Sequence, residues 1–251
     1  MTRAVITMTI DDAQHFSLEQ KAAIIDSYLP HEREARTKGI PTMGSGRIFP
    51  VAEEVIREKA FAIPRHWPRI CGVDFGYDHF FGAAWLAWDR DADCVHVYDG
   101  FRVRLQTPIL HAPAIKARGQ KIPVAWPRDG LQHDKGGGEE LAQQYRNQGV
   151  EMLPEWAQFL DDRGVSVEAG VIEMLDRMQT NRWKVAEHLN DWFEEFRLYH
   201  RDDGKIVKEG EDLLCASRYA MMCLRFARVL ESPSDAYGRA SSGGGASWKT
   251  A

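Results

Sequence analysis

The sequence predicts an α/β domain built on a mixed, five-stranded sheet with helices on both faces. Three buried-strand patterns follow one another from residue 69 through short turns, which is typical of an antiparallel meander. Later strand patterns alternate with helical patterns, and strands joined by helical crossovers are usually parallel. A chain of 251 residues is long enough for one such domain with an additional segment.

Residues 1–68 are predicted to form two helices and an extended arm without a large core of their own. The first helix starts after Ser17 and ends before Pro30, because apolar side chains recur between them at helical spacing. The second helix covers residues 31–38 and stops at Gly39. This region is therefore interpreted as a linker rather than an independent domain.

The main domain is predicted over residues 69–231, and residues 232–251 are predicted to form a flexible Gly/Ser-rich tail. Its strands are predicted, in order, at residues 70–76, 81–88, 94–103, 122–126 and 150–153. A further short strand is predicted at residues 183–185, between two of the later helices.

Helices are predicted between and after these strands. Thr107 and Pro108 supply a cap residue and a proline at the first helical position, and Pro113 is expected to kink that helix. The remaining helices are predicted at residues 139–148, around 171–178, around 189–199 and from 212 to about 230.

Composition and charge restrict the class of protein. Hydrophobic residues make up 44% of the chain and charged residues 27%, as in ordinary folded proteins. No run of 18 apolar residues exists, so no transmembrane helix is predicted. The net charge is -5, whereas proteins that bind nucleic acid through bulk charge are usually basic. Any nucleic-acid binding must therefore depend on a local patch or on a bound cation.

The four cysteines show no C-x-x-C spacing, which argues against both a zinc site and a disulfide framework. They are predicted to be reduced and mostly buried thiols, as is usual inside cells. They are Cys71, Cys94, Cys215 and Cys223.

Three acidic residues stand at the ends of predicted elements. Asp74 ends the first strand of the main domain, Asp129 follows the fourth strand, and Asp212 opens the last helix. If these ends meet at one edge of the sheet, the three carboxylates raise each other's pKa, and a divalent cation relieves that conflict. Oxygen ligands favour Mg²⁺ or Mn²⁺ over zinc, and two such ions about 4 Å apart can clamp a phosphodiester during cleavage.

Each of these residues also has a simpler interpretation. Asp74 and Asp129 are also residue types that form ordinary turns, and Asp212 is suited to be a helix cap. Taken singly, the two interpretations are about equally good, and the order of all three is what favours a metal site.

Three motifs in this order resemble the nuclease domain of bacteriophage terminase large subunits. They are Asp-x-Gly at residue 74, Trp-Pro-Arg-Asp-Gly at residues 126–130, and the helix start at residues 211–220. Residues 130–135 and 188–195 add to the likeness. The resemblance covers roughly residues 69–228, while residues 8–50 resemble the segment that links the packaging ATPase to the nuclease.

The resemblance implies an RNase H-like fold and an endonuclease that cuts concatemeric viral double-stranded DNA during genome packaging with two ions, Mg²⁺ or Mn²⁺. It implies that Asp74, Asp129 and Asp212 are metal ligands, with Asp78 and Glu211 as auxiliary acids. The implied partners are double-stranded DNA, the portal protein and the small terminase subunit. The implied location is the host cell cytoplasm, in a packaging motor that the virion does not retain.

Basic residues near these motifs are candidate DNA contacts, although for each one a solvated charged surface is the competing interpretation. They are Arg128, His133, Lys135, Arg197, Arg201, Lys205 and Lys208. The sequence contains no G-x-x-x-x-G-K-[ST] motif, so the chain is expected to hydrolyse no ATP and to correspond to the nuclease half of a large terminase.

Two other functions compete with this interpretation. Another RNase H-like enzyme, of the resolvase or transposase type, would use the same acids, but it would have no reason to carry the arm before Arg69. A non-catalytic packaging or docking module could retain the fold, but it would not need three intact acids.

Overall fold

A computed structural model describes residues 9–28, 33, 37, 46–132 and 138–230 of the chain. Its centre is a mixed sheet of six strands. The strands are β1 (Arg57–Glu58), β2 (Arg69–Asp74), β3 (Phe81–Asp89), β4 (Cys94–Val103), β5 (Val124–Ala125) and β6 (Trp183–Ala186). A separate two-stranded hairpin consists of β7 (Arg201–Asp202) and β8 (Lys205–Ile206).

Helices cover the sheet and connect its strands. They are α1 (Leu18–Ser27), α2 (Glu53–Ile56), α3 (Pro108–Ala117), α4 (Leu141–Asn147), α5 (Val167–Gln179), α6 (Asn190–Leu198) and α7 (Asp212–Met222). Within the described part of the chain, no helix is long and apolar enough to cross a membrane. The four cysteines are buried and free, as predicted.

The strands lie in the order β1-β6-β4-β3-β2-β5. β2, β3 and β4 form the predicted antiparallel meander, β5 runs parallel to β2, and β6 runs parallel to β4. The predicted fold class, a mixed sheet in an α/β domain, is therefore confirmed.

The number and identity of the outer strands differ from the prediction. Residues 150–153 contribute only one bridge, between Met152 and Val124, because β5 itself is limited to two residues between Pro123 and Pro127. β6 is instead a full member of the sheet beside β4. The sixth strand, β1, comes from the arm before residue 69 and pairs in parallel with β6.

The arm contributes to the core as well as to the sheet edge. Ile48, Phe49, Val51 and Ile56 are all buried, and the ring of Phe49 lies 5.9 Å from that of Phe196 on α6. The linker predicted over residues 1–68 therefore includes a stretch that packs into the domain.

The helices largely follow the sequence, with two differences: the short helix α2 was not predicted, and the last helix ends earlier than predicted. α1 begins after Ser17, whose hydroxyl accepts the backbone N–H of Gln20, and it ends before Pro30 as predicted. The last helix is shorter than predicted, because the chain after Met222 turns back and Arg228 pairs with Arg69 at the start of β2. The predicted helix at 31–38 and the tail at 232–251 lie largely or wholly outside the described residues.

Candidate active site

The three predicted acids lie around one cleft at an edge of the sheet. Asp74 is the last residue of β2, and Asp129 lies in the short 3-10 helix that follows β5, the parallel neighbour of β2. Parallel neighbours end at the same edge of a sheet, which brings these two residues to one side. Asp212, the first residue of α7, completes the lining of a cleft of about 660 Å³.

Two glycines allow α7 to approach the sheet closely enough to place Asp212 there. Gly82 on β3 lies opposite Asp74 on β2, and a Cβ at Gly82 would fall 2.6 Å from the carbonyl oxygen of Asp212. A Cβ at Gly72 would fall 1.9 Å from the carbonyl oxygen of Ala216, one turn further along α7. Any larger residue at either position would push the helix, and Asp212 with it, away from β2 and β3.

Burial raises the pKa of three acids of the cleft, Asp74, Glu211 and Asp212, and neighbouring negative charge adds to the effect on the first two. Burial and the neighbouring Asp212 carboxylate raise the pKa of Asp74 to about 7, and the same two causes raise the pKa of Glu211 to about 7. Burial also raises the pKa of Asp212, against the effect of a hydrogen bond with His79. The cleft therefore disfavours the charged forms of these carboxylates, and a bound cation would stabilise those charged forms.

Asp212 is not the cap of its helix. The side chain of Glu195 on α6 is buried, and its Oε2 accepts the backbone N–H groups of Leu213 at 2.7 Å and Leu214 at 3.0 Å. Its Oε1 accepts a hydrogen bond at 3.0 Å from Arg102, which anchors the pair to β4. Since Glu195 satisfies the first free amides of α7, the Asp212 carboxylate does not serve this purpose.

Several cationic groups share the cleft with the acids. Arg218 on α7 is 3% exposed, and its charge acts to lower the pKa of Asp74 and Glu211. Arg104 and Lys208 are exposed and also line the cleft. The cleft therefore combines carboxylates at its base with positive charge that suits a phosphate backbone.

Two of the predicted DNA contacts have carboxylate partners within the fold. Arg197 donates a hydrogen bond at 2.9 Å to Glu53, a buried carboxylate on α2, so its charge is used within the fold. Arg201 donates to both oxygens of Glu168 on α5, which fixes the hairpin to that helix. Position in the sequence did not reveal these partners because they lie 144 and 33 residues away.

Of the other predicted DNA contacts, the three that the structure describes are exposed. Lys208 lines the cleft, Lys205 is exposed on β8, and Arg128 is exposed beside Asp129 with its guanidinium 5.9 Å from the ring centre of Trp156. His133 and Lys135 lie outside the described residues.

The sequence did not single out His79, although this residue lies next to one of the predicted auxiliary acids. Asp78 and Glu211 both line the cleft. The Nδ1 atom of His79 lies 3.4 Å from Oδ1 of Asp212, and its side chain is two-thirds exposed. A run of polar residues immediately after a buried strand was the available signal.

The donor set of the cleft fits a hard divalent cation. Within the described residues, no three His, Cys, Asp or Glu side chains are close enough to hold a metal ion by themselves. Magnesium, however, is commonly bound by one or two carboxylates together with water and substrate phosphates. Crowded carboxylates with raised pKa values beside an open cleft match that kind of site.

The fold and the acidic cleft define an RNase H-like α/β domain of the type that carries carboxylates at its strand ends. Residues 71–224 match the family model described as the terminase RNaseH-like domain, and the chain belongs to this family. Residues 1–56 match a model for the N-terminal part of the T4-like terminase large subunit.

Two curated proteins are close relatives over about half of their length. The chain is 49% identical over 230 residues to the terminase large subunit of Salmonella phage P22, which covers 91% of the chain and 46% of that protein. It is 49% identical over 222 residues to the large subunit of Enterobacteria phage LP7, covering 88% of the chain and 46% of that protein.

Solved structures show the same relationship. The P22 large terminase nuclease domain is 48% identical with a TM-score of 0.69, covering 75% of this chain and 97% of that one. The nuclease domain of the phage SPP1 large terminase, solved with bound Mn, is 16% identical with a TM-score of 0.51. That match covers 68% of this chain and 97% of the SPP1 domain, and it supports the fold alone.

Proposed function

We propose that this protein is a metal-dependent endodeoxyribonuclease that cuts concatemeric viral double-stranded DNA during genome packaging. One observation carries the proposal: in a member of the terminase RNase H-like family, Asp74, Asp129 and Asp212 line a single cleft. The similar P22 domain is described as a nuclease domain, and the SPP1 domain was solved with bound Mn.

Asp74, Asp129 and Asp212 would hold two ions, Mg²⁺ or Mn²⁺, with Glu211 and Asp78 as auxiliary acids at the border of the cleft. When bound, such ions polarise the scissile phosphate, activate water as a nucleophile and neutralise charge on the leaving oxygen.

The protein's own residues prepare the cleft for this chemistry. Glu195 and Arg102 fix the start of α7 and therefore the direction of the Asp212 side chain. Arg104 and Lys208, both exposed at the cleft, attract the phosphodiester backbone. Arg218 supplies a buried positive charge that acts to lower the pKa of Asp74 and Glu211 and so favours their charged forms.

The partners follow from the family. Double-stranded DNA is the proposed substrate, and the portal protein and the small terminase subunit are the proposed partners of the packaging motor in the host cytoplasm. Because this chain spans 46% of the P22 large subunit, these roles are proposed for the larger protein of which such a domain is a part.

Incubation of supercoiled plasmid with the pure protein tests the proposal. Nicked and linear products are expected with Mg²⁺ or Mn²⁺ and not with excess EDTA, and with little preference for sequence. Cleavage that persists in EDTA excludes a metal-dependent mechanism. No cleavage under any metal condition would favour the non-catalytic packaging module.

A further inference from the structure

A second cavity adjoins the acidic cleft. Its volume is about 730 Å³, and it shares Phe75, His79 and Asp129 with the cleft. The size falls within the range of cavities that hold small organic groups. A group attached to a phosphate in the cleft would therefore find this cavity immediately beside it.

His111 on α3 is a buried residue at the wall of the cavity. The residue is 1% exposed, its ring stacks 3.9 Å from that of Phe81, and its Nδ1 lies 2.7 Å from the hydroxyl of Tyr145. Its Nε2 is buried and has no hydrogen-bond partner within the described part of the chain. Buried polar atoms are normally satisfied, and leaving one without a partner costs about 1–3 kcal/mol. Because the protein encloses this atom, a ligand in the cavity would reach it only if the cavity wall opened slightly.

The remaining lining is uncharged, apart from its border with the acidic cleft, and it combines polar side chains with apolar ones such as Ile109 and Leu141. Gln106, Gln132 and Gln144 contribute amides, and Tyr77 and Tyr145 contribute aromatic rings. Among the described residues that line the cavity, none is a lysine or an arginine, so the cavity has no counter-ion for a phosphate. Burial also lowers the pKa of His111 to about 4, so its ring is neutral at physiological pH.

A nucleobase fits this combination of groups. It is flat, uncharged and hydrogen-bonding along its edges, and amide side chains such as glutamine recognise base edges by paired hydrogen bonds. Aromatic side chains stack on exposed bases. A base inside an intact duplex is shielded by its neighbours and its partner, so only an unpaired base can enter such a cavity.

We propose that the cavity around His111 and Gln144 binds the base of an unpaired nucleotide adjacent to the phosphodiester held in the acidic cleft. The inference rests on the proposed function, because it takes the cleft to be where the DNA backbone lies. It adds that the enzyme engages locally opened DNA and contacts a base as well as the backbone.

Binding measured without cleavage separates this inference from the proposed function. The probes are a short fluorescent single strand and the same strand with abasic sites, which keep the phosphates and remove the bases. Equilibrium affinities are measured in EDTA at low salt for the wild type, for Gln144→Leu and for Tyr77→Ala. Gln143→Leu is the matched control, because Gln143 directly precedes Gln144 on α4 and does not line the cavity.

The wild type and Gln143→Leu are expected to bind the normal strand at least about fivefold more tightly than the abasic strand, which is the lower end of what base stacking contributes. Gln144→Leu and Tyr77→Ala are expected to reduce this ratio towards one. An equal affinity of the wild type for both strands overturns the inference, and so does a ratio that both cavity variants leave unchanged. Either result leaves metal-dependent plasmid cleavage intact, whereas a protein that discriminates bases but never cleaves contradicts the proposed function alone.

Discussion

At the scale of single residues, the role of Asp212 depends on which group caps α7. The sequence left two interpretations open, a metal ligand and a helix cap. Glu195 accepts hydrogen bonds from the backbone N–H groups of Leu213 and Leu214, so a residue of α6 caps α7. The Asp212 carboxylate is thereby left to face Asp74 and His79 in the cleft.

Asp212→Asn is therefore expected to leave the metal-free protein within about 1 kcal/mol of the wild type, the size of a helix-dipole contribution, or to make it more stable. The substitution keeps the shape of the side chain and removes repulsion with Asp74. It should also abolish the rise in melting temperature that Mn²⁺ gives the wild type, because a ligand that binds only the folded state makes that state more stable. Thermal melts with EDTA and with Mn²⁺ measure both effects, and an undiminished Mn²⁺ shift in the variant contradicts a ligand role.

A second residue-scale prediction concerns His96 on β4. Burial by itself lowers its pKa, but hydrogen bonds with Cys94 and with Glu58 raise the pKa to about 9. Its Nδ1 lies 2.9 Å from Oε1 of Glu58, and its ring stacks 4.7 Å from that of Trp67. Because the folded pKa is above that of the unfolded chain, the stabilisation is complete below about pH 6.5 and is lost as the pH rises through about 9.

Replacement of Glu58 by glutamine should reduce this pH dependence, because it removes the charge of one of the two hydrogen-bond partners that raise the pKa of His96. The difference in free energy of unfolding between the wild type and Glu58→Gln is expected to be largest below pH 6.5 and to decrease as the pH rises through about 9. Denaturant unfolding across this range measures it, with Glu54→Gln on the exposed side of α2 as the control. A difference that does not change with pH is inconsistent with a charged His96.

At the scale of elements, α6 controls the position of α7. Glu195→Ala removes the cap and leaves the mostly buried Arg102 without its closest carboxylate. We expect a loss of about 3 kcal/mol in the free energy of unfolding, as for other broken buried pairs. Glu194→Ala is the matched control. Glu194 also lies 3.4 Å from Arg102, but it is exposed, and exposed ion pairs contribute about 1 kcal/mol or less. Urea denaturation compares the two, and equal losses would exclude a capping role for Glu195.

The elements show clearly what the sequence can and cannot predict. The meander and the start of α7 have strong local patterns, so their residues were predicted, including the ends that carry Asp74 and Asp212. β1 has only two residues and was not predicted. β6 was predicted as a short strand at residues 183–185 but not as a member of the sheet, because its strand partners lie far away in the sequence. Glu195 was missed for a similar reason, since its contacts to α7 span 18 and 19 residues.

At the scale of the whole molecule, the proposed function requires the protein to hold DNA despite its own charge. The net charge of -5 opposes binding, so local cations at the cleft and on the hairpin must supply the phosphate contacts. Reversal of Lys205 and Lys208 to glutamate is expected to weaken duplex binding severalfold at low salt and to reduce the slope of affinity against salt by about two.

The control for this charge reversal carries Arg90→Glu and Lys121→Glu. Both residues are exposed and lie in turns at the strand ends that are away from the cleft. It changes the net charge by the same amount. If both double variants lose the same affinity, the effect comes from overall charge and the hairpin has no specific role.

The most direct measurement of the central claim is the rate of plasmid cleavage in Mn²⁺ by Asp74→Asn, Asp129→Asn and Asp212→Asn. The control is Asp91→Asn, the same substitution in the exposed turn at the far end of β3 from the cleft. Each cleft variant is expected to lose nearly all cleavage while remaining folded, and the control is expected to cut at the wild-type rate. Cleavage near the wild-type rate by any one of the three cleft variants would contradict a site formed jointly by these carboxylates.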